Sequence, residues 1–193
     1  DSDPRWERRF TSEPYVIFRR KGADPHYVRV PRYRPVLMDT TQWKQDFHRW
    51  FASDGALDVP LVAGWSVPAA DRARFPLVTA SPTTLPHEPL EADCRIEESV
   101  DHLAIEFTTT CPGQPHTIAV SYYPNWHVEG ASRIYMASPA FMLVYPDGNH
   151  VRLTFRRIGV DWLGLALSVT GLLICLVPAR RRTALPASEA GGA

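Results

Sequence analysis

The sequence predicts a mainly β protein: an extracytoplasmic β-sandwich with one amphipathic helix, followed by a single C-terminal transmembrane helix. Three observations carry this. Short runs of β-branched and aromatic residues recur between turn residues. Eighteen prolines, nearly all before residue 150, interrupt any long helix there. From residue 158 to 177 the chain is apolar except for Asp161, Ser168 and Thr170. With 45% apolar residues among 193, the chain can build its own core without metal or many disulfides.

In chain order, "PYVIFRR" (14–20) and "HYVRVPRYRPVLM" (26–38) read as strands around the turn "KGADP". The period then changes. Trp43, Phe47, Trp50 and Phe51 fall at i, i+4, i+7 and i+8 after a threonine start and before Gly55, which predicts an amphipathic helix with its aromatic stripe in the core. "LDVPLVAGW" reads as a buried strand, and the proline-rich stretch after it as a long surface loop with one short helical turn. Residues 95–99, 102–109, 116–123, 141–145 and 150–155 alternate as five strands of a small sandwich. A hairpin turn at "PDGNH" is expected between the last two, with Asp147 and Gly148 at positive φ. The expected divisions are an N-terminal mixed part (1–91), a sandwich core (92–157), a membrane helix (158–178) and a cytoplasmic tail (179–193).

A run of about 20 residues at ~1.5 Å rise crosses a hydrocarbon layer of about 30 Å. Asp161 and Trp162 suit one interface, while Arg180, Arg181 and Arg182 suit the other. Arg152, Arg156 and Arg157 precede the run, but they belong to a strand pattern in a large domain, so the short arginine tail is the better guide to orientation. The expectation is a single-pass protein of the bacterial inner membrane, with its bulk periplasmic and its C-terminus cytoplasmic. Gly164, Ser168 and Gly171 fall near one helix face, open either to a closely packed neighbouring helix or to lipid. The last predicted strand runs almost directly into this helix, which implies a sheet module held close to the headgroups. Asp1, in place of a start methionine, is expected to arise by processing or truncation.

Basic and acidic residues balance at 21 each, which removes the global electrostatic case for nucleic acid. Seven histidines show no metal-ligand spacing and read as surface or core hydrogen-bonders, although His102 and His116 could meet across adjacent strands. Glu97, Glu98 and Glu106 are expected to be solvated strand positions. No nucleophile elbow, P-loop or dinucleotide fingerprint occurs, so neither cofactor nor reaction is implied. In an oxidising space Cys94 and Cys111 would bridge across a short hairpin, the alternative being two buried thiols, while Cys175 is an apolar residue of the span. "SYYPNW" supports two readings: Tyr122, Tyr123 and Trp126 as a platform for a glycan or a partner protein, or, as favoured here, rings filling the sandwich end about a Pro124–Asn125 turn.

From Val120 to about Leu173, on Ser121, Tyr122, Pro124, Asn125, Trp126 and Gly130, the chain resembles the C-terminal end of large bacterial polytopic membrane proteins. These carry the labels 6-pyruvoyl-tetrahydropterin-synthase-related or YfhO-like. The resemblance implies an extracytoplasmic β-sandwich attached to a membrane body, in families that handle lipid-linked sugars. Their transferase chemistry would lie in a multi-helix portion and this chain has one predicted span, so no catalytic residue carries over. Two functions are therefore expected. The first is a non-enzymatic single-span subunit, in contact with the lipid bilayer, docking onto other subunits of a respiratory or photosynthetic membrane complex. The second is the C-terminal fragment of a polytopic glycosyltransferase-like protein.

Overall fold

The computed structural model describes residues 4–22, 25–53, 56–78, 85–90 and 93–176. Gly55, Pro178 and the arginines at 180–182 lie outside these residues, as does the expected tail. The chain divides into two compact units, Asp1–Phe155 and Arg156–Ala193.

The first unit is mainly β. In order it contains β1 (Trp6–Ser12), β2 (Tyr15–Arg20), β3 (Val28–Arg29), β4 (Val36–Met38), α1 (Trp43–Phe51), β5 (Leu61–Ala63), two 3-10 segments (Gly64–Ser66 and Ala69–Arg74) and β6 (Leu77–Val78). It continues with β7 (Ile96–Asp101), β8 (Ala104–Thr109), β9 (His116–Ser121), β10 (Trp126–Glu129), β11 (Ala131–Ala137), β12 (Phe141–Pro146) and β13 (His150–Phe155). β1 and β2 form a separate two-stranded ribbon. A four-stranded sheet has the order β10-β13-β8-β7, and a seven-stranded sheet the order β3-β9-β12-β11-β5-β4-β6. The large sheet thus takes strands from both 1–91 and 92–157.

The large sheet is mixed. β4 pairs in parallel with both β5 and β6. Parallel neighbours need a crossover, and α1 supplies it between β4 and β5. Within α1, Phe47 and Trp50 are buried and Trp50 donates its indole N–H to Val59 O at 3.0 Å, which ties the helix to the strand it introduces. Phe51 departs from the expected stripe and is exposed, because the sheet beneath receives only one narrow face of this nine-residue helix.

Pleating sends alternate residues of the large sheet to opposite sides. Val36, Met38, Leu61 and Ala63 meet Phe47 and Trp50 under α1. Leu37, Val62, Tyr135, Leu143 and Tyr145 pack on the other face with Val67 and Phe75 of the 3-10 region. At its far end, Ile118, Met142 and Val144 meet Ile105, Phe107, Val151 and Leu153 of the four-stranded sheet. That apposition is the sandwich.

Four expectations change here. The strand expected over 26–38 is two short strands split around Pro31 and Pro35, which cannot donate to a ladder. β2 does not fold back around "KGADP"; its partner is β1. β12 and β13 form no hairpin, since they lie in different sheets, and "PDGNH" carries the chain from one sheet to the other. Asp147 and Gly148 accordingly have no positive φ, as Asp147 donates its N–H to Gly130 O at 2.8 Å. The proline-rich loop contains a longer 3-10 segment than expected, and it supplies β6 to the sheet edge.

The second unit contains α2 (Gly159–Leu176). Each of its residues from Gly159 to Cys175 is exposed, including Val160, Leu163, Leu167, Leu172 and Ile174. Among the described residues, no helix is long and apolar enough to cross a membrane. The described helix spans 18 residues, about 27 Å at 1.5 Å per residue, against a hydrocarbon layer of about 30 Å.

Candidate functional site

Ligand sites in sheets with parallel strands form at the carboxyl ends of those strands. At the ends of β4 and β5 stand Asp39 and Gly64. Arg72, reaching back from the 3-10 segment, donates to both carboxylate oxygens of Asp39 at 2.7 and 3.4 Å, and to the Gly64 carbonyl at 3.4 Å. This holds the Asp39 carboxyl below its ordinary range and the guanidinium above. Gly64 has no room for a side chain: a Cβ there would lie 2.8 Å from Asp39 Oδ1 and 3.0 Å from Met38 O.

Rings continue this face. Trp43 lies 6.3 Å from Trp65, and Trp65 lies 6.0 Å from Tyr122 in an edge-on contact. Lys44 places its ammonium 5.7 Å above the Trp43 ring. Trp65 is half exposed, at 53%, while Tyr122 wedges between the α1 core and the sandwich core. An aromatic surface flanked by a fixed ion pair and a cation is chemistry for holding a partner or ligand. The Ser66 hydroxyl, next in sequence to Trp65, donates to Ala63 O at 2.7 Å and accepts from Met136 N at 3.2 Å, so it is committed to the backbone.

"SYYPNW" holds a turn at its centre. Trp126 N donates to Tyr123 O at 3.1 Å, closing the turn at Pro124 and Asn125. Tyr122 and Trp126 both pack against the sandwich core. Tyr122 joins Trp65, Tyr123 is exposed, and Trp126 packs edge-on against Phe155 at 5.3 Å. Gly130 has φ +83°, and a Cβ there would meet the carbonyl of His150.

Cys94 and Cys111 are bonded, with Cα atoms 5.6 Å apart, and they close the ends of β7 and β8. His102 and His116 do not meet, because His102 lies in the exposed turn between β7 and β8 while His116 packs beside Thr109 at the opposite end of β8. His116 is instead fully buried, stacked on Phe107 at 5.5 Å. Its Nδ1–H donates to Gln114 O (2.9 Å), leaving Nε2 to accept from the Thr109 hydroxyl (2.8 Å). Burial lowers its pKa below the ordinary 6.5. A hydroxyl beside an oriented imidazole has the outline of a nucleophile and base, but both groups are buried and cannot meet a substrate. Glu98 is not a solvated strand residue: its two oxygens accept from Tyr27 N (2.9 Å) and Val28 N (2.6 Å), fastening β3 to β7. Glu106 pairs with His150 at 2.7 Å. Among the described residues, no group of His, Cys, Asp and Glu is placed to hold a metal.

On α2, Gly164 and Gly171 are open to solvent, and Ser168 donates to Gly164 O at 2.8 Å. Trp162 is exposed beneath the Arg157 guanidinium, 5.5 Å from its ring centre. Nothing local in the sequence marks Asp39, Trp65 and Arg72 as neighbours, since the pair alone spans 33 positions.

Comparison with family models, with curated proteins and with solved structures gave no match.

Proposed function

We propose that this chain is a non-enzymatic membrane subunit, anchored by the apolar run beginning in α2, whose β unit docks onto a larger integral complex of the bacterial inner membrane. The observation that carries the reading is α2, an apolar helix exposed along its described length. Water is a poor solvent for such a surface, and lipid or neighbouring helices are good ones. The proposed span extends to Val177, with Arg180, Arg181 and Arg182 in the cytoplasm. The Cys94–Cys111 bond supports an oxidising location for the β unit. The face of Trp43, Trp65 and Tyr122 is the docking surface, because aromatic anchors bring large contact area at low entropic cost. Gly164, Ser168 and Gly171 are the positions for a neighbouring helix, and a respiratory or photosynthetic assembly is a host of the right kind.

The test is cross-linking with mass spectrometry on membranes from the source cell. The chain is expected to resist alkaline extraction and to cross-link from Lys44 to other integral proteins. Recovery in the aqueous wash, or migration alone after mild solubilisation, overturns the reading. The second reading, a fragment of a polytopic glycosyltransferase-like protein, rests on the resemblance over 120–173. A source reading frame with many upstream spans would favour it, and a short frame the subunit.

A further inference from the structure

The β1–β2 ribbon is organised along its length. The pairs Phe10–Ile17, Thr11–Val16 and Ser12–Tyr15 form the half nearest the turn. Arg5, Arg8, Arg9, Arg19 and Lys21 lie in the half nearest the rest of the unit, opposed by Glu7, which pairs with Arg9 at 3.4 Å. Arg8 sits over the Phe18 ring at 5.9 Å, at the border between the halves. Every described side chain of the ribbon is exposed, Tyr15 at 73%. Directly paired residues share a face, so Phe10, Ile17 and Tyr15 occupy one side while Val16 and Phe18 occupy the other.

Two features select an occupant. Apolar groups on both faces of a two-stranded ribbon cannot be covered by one flat protein surface, and such a ribbon is marginal in water by itself. A lipid interface surrounds both faces at once. The cationic collar behind the apolar half then lies where anionic headgroups lie, and three to four residues of strand, at about 3.4 Å each, give a depth of roughly 10 Å, suited to the boundary between headgroups and acyl chains. Glu13 in the turn is the one acidic group of the inserted half, and it favours shallow insertion. We infer that the β1–β2 ribbon is a membrane-surface anchor that inserts its Phe10–Phe18 tip into anionic lipid. This is independent of α2.

The test uses the full chain with Cys175→Ser and Tyr15→Cys, carrying an environment-sensitive fluorophore at position 15. It is mixed with vesicles of phosphatidylcholine alone, or of phosphatidylcholine with phosphatidylglycerol. A blue-shifted emission that requires phosphatidylglycerol and reverses at high salt is expected. Arg8→Gln and Arg19→Gln should each lower the ratio of inserted to free ribbon by about fivefold. Phe10→Ser with Ile17→Ser should abolish the shift while leaving the melting temperature unchanged, since these side chains are not in the core. Glu13→Gln should strengthen insertion. Flotation on neutral vesicles reports α2 separately, so its loss with the emission shift intact removes the α2 anchor and leaves the ribbon's role standing. Identical emission with both vesicle types overturns the inference. So does a shift produced by an oligonucleotide without vesicles, or one that follows protein density in neutral vesicles and so marks a second copy.

Discussion

The chain contains two antiparallel ribbons of similar length with opposite fates. In β8, Ile105, Phe107 and Thr109 are buried while Glu106 and Thr108 face water, and β7 and β8 are clipped by Cys94–Cys111. In β1 and β2 the apolar residues stand on both faces and all are exposed. Alternation gives β7–β8 one face to bury, and the four-stranded sheet buries it against Ile118, Met142 and Val144. A ribbon without alternation has no single face to offer a core. Its apolar groups are addressed to something outside the fold.

The largest expected difference between the ribbons is in core energetics. Phe107→Ala should cost about 3–5 kcal/mol, whereas Phe18→Ala should stay within about 0.5 kcal/mol, as read from urea denaturation of both variants. Equal losses would mean that the first ribbon packs into the unit after all. Next comes the clip. Replacing Cys94 and Cys111 together by alanine should cost about 3 kcal/mol for a closed loop of this size, and the same measurement under reducing conditions should show no further difference between the two proteins.

A smaller effect concerns the strand that β7 holds. Glu98→Ala strands the Tyr27 and Val28 amides and should cost about 1–3 kcal/mol, whereas Glu97→Ala, on the exposed side, should cost far less. Hydrogen exchange at Val28 is expected to rise selectively.

The smallest effect is a pH dependence. His116 has a folded-state pKa below its unfolded 6.5, first because burial penalises the imidazolium, with the Gln114 carbonyl opposing in part. Between the two values the unfolded chain binds more protons, so stability is complete above about 6.5 and declines as pH falls below it. Urea midpoints followed through mildly acidic pH should fall in the parent protein and fall less in His116→Gln. The exposed ribbon has no such buried base, so emission from its label should show no matching step.

Much of the fold was legible because it is local. The α1 stripe follows from Trp43, Phe47 and Trp50 at helical spacing, and β8 follows from clean alternation, with Ile105, Phe107 and Thr109 buried and Glu106 and Thr108 exposed. β1 was missed because "WERRFTS" has charge where a half-buried strand has apolar residues. β11 was missed because "ASRIYMA" alternates poorly: Tyr135, Met136 and Ala137 are buried in succession, with cores on both faces of the sheet. The candidate site was less legible still. Asp39 and Arg72 meet only because a 3-10 segment crosses the ends of two parallel strands, and Tyr122 meets Trp65 across 57 positions.

By itself the amino-acid order determined the β-rich class, the one amphipathic helix, two cysteines able to close a hairpin and an exceptionally apolar run after residue 157. Each is a property of neighbours along the chain, carried by side-chain period and turn chemistry. Tertiary structure alone decided that β12 and β13 separate into two sheets, that β4 and β5 run parallel, and that His116 meets Thr109 rather than His102. The reason is that every strand offers the same backbone donors and acceptors. Which partner it takes is settled by the packing of whole faces and the reach of the connections, and neither is written in any short stretch of sequence.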